Sequence, residues 1–174
     1  MKNLVPLLVF FAFCGCREIS FKEPQPKGKK SLREVPEKLL GKYLLQEEKD
    51  TAKDTLVVTR QGYLIVSDRK QSLLGDSLVL KRYKGYYFLS INENPEWILR
   101  IIKREKNGDL TYMSMDEEDR AFKDLVNDLA REVGIDSVKI DDKMLYQIDP
   151  SPRQLINLIK KGYFKKTILM QRLE

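Results

Sequence analysis

Residues 86–115 read YYFLSINENPEWILRIIKREKNGDLTYMSM, a pattern of strands and turns. Three runs rich in aromatic and β-branched residues, Tyr86–Ile91, Trp97–Lys103 and Leu110–Met115, are separated by Asn92-Glu93-Asn94-Pro95 and Lys106-Asn107-Gly108-Asp109. Runs of this kind bounded by turn formers are strands. Asn107-Gly108 predicts a tight hairpin through a type I′ turn, which needs positive φ at both central residues. Tyr86-Tyr87-Phe88-Leu89 is apolar on both faces. Trp97, Leu99 and Ile101 share one face, while Ile98 and Ile102 flank Arg100 on the other. A sheet apolar on both faces needs cover on both.

The same grammar continues upstream. Gly41–Gln46, Thr55–Thr59, Tyr63–Ser67 and Ser77–Lys81 are strand candidates, broken by Gln61-Gly62, Leu74-Gly75-Asp76 and Lys84-Gly85. Seven strands at roughly 8–12-residue spacing predict a mainly β, α+β domain: an antiparallel meander or a small lipocalin-like barrel, either closed or open. One face would fill the interior, and the C-terminal third would cover the other.

That third supplies two helices. Over Glu117–Val133, Phe122, Leu125, Val126, Leu129 and Val133 form one apolar stripe at helical spacing. Asp116 is the expected N-cap, Glu117, Glu118 and Asp119 match the positive dipole end, and Gly134 sits at the C-terminal stop. Over Pro152–Lys161, Ser151 and Gln154 have capping-box spacing, and Gly162 follows. Strands are expected at Ser137–Ile140 and Met144–Ile148, turning at Asp141-Asp142-Lys143, and at Thr167–Arg172. The lysines Lys160, Lys161, Lys165 and Lys166 flank Tyr163-Phe164, either as a solvated helix end or as a surface resting on anionic headgroups.

The composition excludes much chemistry. The 174 residues contain no histidine and two cysteines, Cys14 and Cys16. His-dependent triads are therefore ruled out, and a zinc or copper site would lack its commonest ligands. No glycine-rich phosphate loop is present. The acidic run Asp116–Asp119 lacks the alternating pattern of calcium loops and reads as a helix start. We expect no catalytic residues, no metal and no cofactor. The net charge of +6 does not form a basic stripe with interleaved aromatics, so nucleic acid is not an expected partner.

At the N-terminus, MKNLVPLLVFFAFCGC joins a positive Lys2 to a ten-residue apolar run, Leu4–Phe13, too short to span a bilayer. It resembles the signal peptide of bacterial lipoproteins. The processing tetrad would be Phe13-Cys14-Gly15-Cys16, with Gly15 as the small residue before the cut. The resemblance implies removal of residues 1–15, a lipid on the Cys16 sulfur and attachment to the membrane. Arg17 and Glu18 follow, with no aspartate signalling inner-membrane retention. That implies the outer membrane, facing the periplasm.

Residues 16–36 read as the lipidated end and a flexible basic tether. Lys22–Lys30 holds two prolines, one glycine and four lysines without apolar periodicity. The globular domain is then expected over 37–174. Two readings of its role stand side by side. It could bind an apolar ligand in the barrel, with Tyr63, Tyr86, Phe88, Trp97 and Tyr112 as pocket or interface aromatics. Alternatively it docks onto an envelope protein complex. A carboxylate-based hydrolase is the remaining alternative. Lipocalin-like and half-barrel lipoproteins are the architectural analogy, at the level of fold alone.

Overall fold

The computed structural model describes residues 17–47, 53–94, 96–117, 119–140 and 143–173. The strands are β1 (Arg17–Phe21), β2 (Gly41–Glu47), β3 (Lys53–Thr59), β4 (Gly62–Ile65), β5 (Lys70–Leu73), β6 (Leu78–Tyr83), β7 (Tyr86–Asn92), β8 (Trp97–Arg104), β9 (Leu110–Ser114), β10 (Asp116–Glu117), β11 (Asp136–Ile140), β12 (Lys143–Ile148) and β13 (Lys165–Leu173). The helices are α1 (Asp119–Glu132) and α2 (Pro152–Lys160). Every strand expected from the sequence forms, within a residue or two at each end. The fold is mainly β with two helices, and the sheet does not close.

Local chemistry explains most boundaries. At the β8–β9 hairpin the Gly108 N–H donates to the Glu105 carbonyl at 3.2 Å, and the Glu105 N–H to the Asp109 carbonyl at 2.8 Å. Gly108 has φ 99°, whereas Asn107 is not among the residues with positive φ. The hairpin forms where expected, but through a right-handed turn followed by a glycine bulge rather than type I′. The turn with two positive φ values lies instead at Lys84 (48°) and Gly85 (87°), joining β6 to β7.

Helix α2 has the expected capping box. The Ser151 hydroxyl accepts from the Gln154 N–H at 3.3 Å, and Gln154 Oε1 accepts from the Ser151 N–H at 2.9 Å. Helix α1 starts later than expected. Asp116, expected as the N-cap, lies three residues before the helix: Asp116 and Glu117 pair as β10 opposite Glu18 and Arg17.

Two meanders make up the larger sheet. β2–β3–β4–β5 is one and β6–β7–β8–β9 the other, all antiparallel. The last strand joins them, because β13 pairs with β9 on one edge and β2 on the other. β5 and β6 do not pair with each other, so the curl stays open. A second branch leaves β8 where Phe21 pairs with Trp97. It continues through β1, parallel to β12, and ends at β11.

The alternation of side chains across this sheet creates two cores. Phe88, Leu99 and Ile101 point to one face, where Phe122 and Leu129 of α1 and Leu155 and Leu158 of α2 cover them. Tyr87, Leu89, Leu80, Leu110 and Met170 point to the other. The two-sided apolar strands are thus covered on one side by helices, as the sequence requires.

The expected tether is not a tether over residues 17–36. β1 contributes Ile19, 0% exposed, and Phe21, 1% exposed, to the helix-covered core. The polar Lys22–Lys30 run forms bends and a turn held by distant partners. The buried Gln25 N–H donates to Ser90 Oγ at 3.0 Å. Lys81, 6% exposed, donates to the carbonyls of Pro24 (2.6 Å) and Pro26 (3.1 Å). Lys22 pairs with Asp136, and Lys27 with Asp149. Ordering this segment is offset by β1's buried apolar area and by backbone groups that find partners far away in sequence. Among the described residues, 17–36 are therefore part of the fold with 37–173.

Candidate functional site

The curl of the nine-strand path brings β2–β4 to face β6–β9, leaving an apolar trough of about 180 Å³. Its walls are Leu45, Leu56 and Val58 on one side, Leu78, Leu80, Leu89 and Ile91 on the other, with Ile102, Leu110, Ile168 and Met170 between them. Among the described lining residues, the only side-chain hydroxyls are those of Tyr63 and Tyr112. An engineered apolar cavity of about 150 Å³ stays dry and admits benzene. The trough is large enough for a comparable apolar group, such as a short alkyl or aryl segment.

The segment once expected to be tether completes this wall. Ser31 bridges to Lys81, the Leu32 N–H donates to the Leu80 carbonyl at 2.8 Å, and the Val35 N–H donates to the Arg60 carbonyl at 2.8 Å. The strap therefore crosses from β6 to the β3–β4 turn, on the side where the sheet fails to close. It places Val35 and Leu39 in the lining. A short 3-10 turn, Glu37–Leu39, follows. Three side chains hold it: Arg104 Nε donates to the Lys38 carbonyl (3.1 Å), Tyr43 Oη to the Leu39 carbonyl (2.9 Å) and an Arg172 nitrogen to the Leu40 carbonyl (3.0 Å). Burial raises the Tyr43 pKa above its usual value, and the adjacent Arg172 partly offsets this.

The five aromatics expected at a pocket or an interface lie on two different faces of the sheet. Tyr63 and Tyr112 line the trough. Tyr86, Phe88 and Trp97 lie on the helix-covered face, where Phe88 is 0% exposed and meets Tyr86 edge-on at 6.4 Å between ring centroids. One residue of sequence offset separates the two faces, so Tyr87 and Phe88 enter different cores. The aliphatic lining was legible as period-two alternation in the strands; Val35 and Leu39 carried no such signal. The C-terminal cluster is likewise divided. Phe164 is 4% exposed within the helix-covered core, and Lys161 pairs with Glu132 at 2.6 Å. Phe164 is therefore unavailable to a membrane interface.

Cys16 lies outside the described residues, as does the Asp141-Asp142 turn. No helix among the described residues is long and apolar enough to cross a membrane. Compared with protein-family models, curated proteins and solved structures, the chain matches none.

Proposed function

We propose that this chain is a bacterial envelope lipoprotein, anchored through a lipid on Cys16, whose domain binds an apolar ligand and carries out no catalysis. The observation that supports this reading is the trough: an apolar space with two tyrosine hydroxyls among its described lining side chains. Burying hydrocarbon there is worth roughly 0.8 kcal/mol per methylene before the costs of association. The signal sequence supports the anchor, with the domain at the outer membrane facing the periplasm. Because β1 begins at Arg17, the residue after Cys16, the folded domain would sit directly against its lipid.

Two measurements test the two halves. Titration with the neutral probe N-phenyl-1-naphthylamine should give saturable fluorescence. Ile65→Trp, which places an indole into the trough, should weaken that binding at least tenfold while far-UV circular dichroism is unchanged. Absence of saturable binding to the unsubstituted protein would refute the ligand reading. In cells, metabolic labelling with a fatty acid should be lost in Cys16→Ser, and persistent labelling would refute the anchor.

A further inference from the structure

One end of the trough changes chemistry abruptly. Residues two apart on a strand share a face. On β6, β8 and β13 the lining residues Leu80, Ile102 and Met170 are each followed, two positions on, by an arginine: Arg82, Arg104 and Arg172. On β7 the corresponding step from Leu89 leads to Tyr87. Lys38, next to the lining residue Leu39, completes the group. Its Nζ lies 5.6 Å from the Tyr87 ring centroid, and the Arg82 guanidinium carbon lies 5.9 Å from it.

Several surface cations are paired with carboxylates, whereas these four, like a number of others among the described residues, are not, and these four are gathered at one end of the trough. Lys22, Lys27, Arg60, Lys103, Arg131 and Lys161 all meet carboxylates. Among the described residues, the side chains of Lys38, Arg82, Arg104 and Arg172 form no such pair; Arg104 and Arg172 donate to backbone carbonyls and to Tyr43. Asp109, a carboxylate at this end, is engaged by the Arg172 N–H at 2.8 Å and by the Asn107 amide at 2.7 Å. Tyr87 adds an independent sign. It is 1% exposed, belongs to the same apolar cluster as the trough wall, and its hydroxyl has no hydrogen-bond partner among the described residues. A buried hydroxyl without a partner is costly and calls for an explanation. An oxyanion seated between the cations would supply one, accepting from the phenol and from guanidinium N–H groups.

We propose that the trough's ligand is an anionic amphiphile, with its alkyl part along the apolar wall and its oxyanion head at Lys38, Arg82, Arg104, Arg172 and the Tyr87 hydroxyl. The inference rests on the reading of the trough as a ligand site and specifies the ligand class. The test compares decanoate, decyl phosphate and decanol on the full protein by calorimetry at low salt. At least one anion should bind tenfold or more tightly than decanol, and whichever is tighter identifies the head as carboxylate or phosphate. The advantage should shrink with added salt and should fall at least threefold in Arg82→Gln and in Tyr87→Phe, with decanol affinity unchanged in both. Equal binding of all three would overturn the inference and leave the apolar-ligand reading intact, as would an anion advantage untouched by both substitutions. If none of the three binds and the neutral probe also fails, the trough reading itself falls.

Discussion

Replacing Phe21 with alanine should destabilise the protein by about 3–5 kcal/mol, the usual cost of removing a buried phenylalanine from a core. The site warrants a value in that range. Phe21 is 1% exposed and packs in the helix-covered core. Its strand is held on both edges, Phe21 facing Ile148 of β12 in parallel pairing and Trp97 of β8 in antiparallel pairing. A backbone fixed on both sides cannot collapse readily into the space left behind, so the cavity persists. Single domains are stable by roughly 5–15 kcal/mol, so the loss is a large fraction of the total. With a urea m-value of about 2 kcal/mol/M, the midpoint should fall by about 2 M. Phe21→Leu, which retains most of the volume, should cost about 1 kcal/mol. Equilibrium urea unfolding followed by tryptophan fluorescence reads both, since Trp97 is the single tryptophan and pairs with Phe21. If residues 17–36 were a tether, Phe21→Ala would stay within about 0.5 kcal/mol, as surface substitutions do. That outcome would refute the placement of β1 in the core.

Lys81 and Gly62 give two further expectations. Burial holds the Lys81 pKa below its ordinary 10.5, so between the folded value and 10.5 the unfolded chain binds the extra proton. Stability should therefore rise, relative to Lys81→Met, as pH increases toward 10.5 and level off above it; parallel stability–pH curves for the two proteins would contradict this. At Gly62, a Cβ would stand 2.0 Å from the Ser72 carbonyl oxygen across the β4–β5 pair. Gly62→Ala should therefore cost about 3 kcal/mol, from forced separation of the strands, and a thermal midpoint equal to that of the parent would show that the edge yields freely.

The legible part of the fold is the part set by neighbours in sequence. Alternating apolar runs, glycine turns and the Ser151–Gln154 cap act over a few residues, and the strands and helices they predict all form. The two-sided apolar character of β7 and β8 even announced that two covers were needed. The candidate site was legible only by half, because Tyr63 and Tyr112 differ from Tyr86, Phe88 and Trp97 solely in which face of a pleat they occupy. That is a matter of register.

Local patterning thus set a series of strands with two apolar faces and two amphipathic helices able to cover one of them. Tertiary structure alone decided what closes the other. Lys22–Lys30 is locally a turn-forming, hydrophilic stretch, and nothing within it announces order. Its order comes from Ser90 and Lys81, more than fifty residues away, and from Ile19 and Phe21 entering a core built by the C-terminal half. The strap at Leu32 and Val35, and the joining of two meanders by β13, are likewise pairings between distant segments. Composition does not record such pairings, because the loop-closure entropy they cost is offset only when the whole sheet forms together.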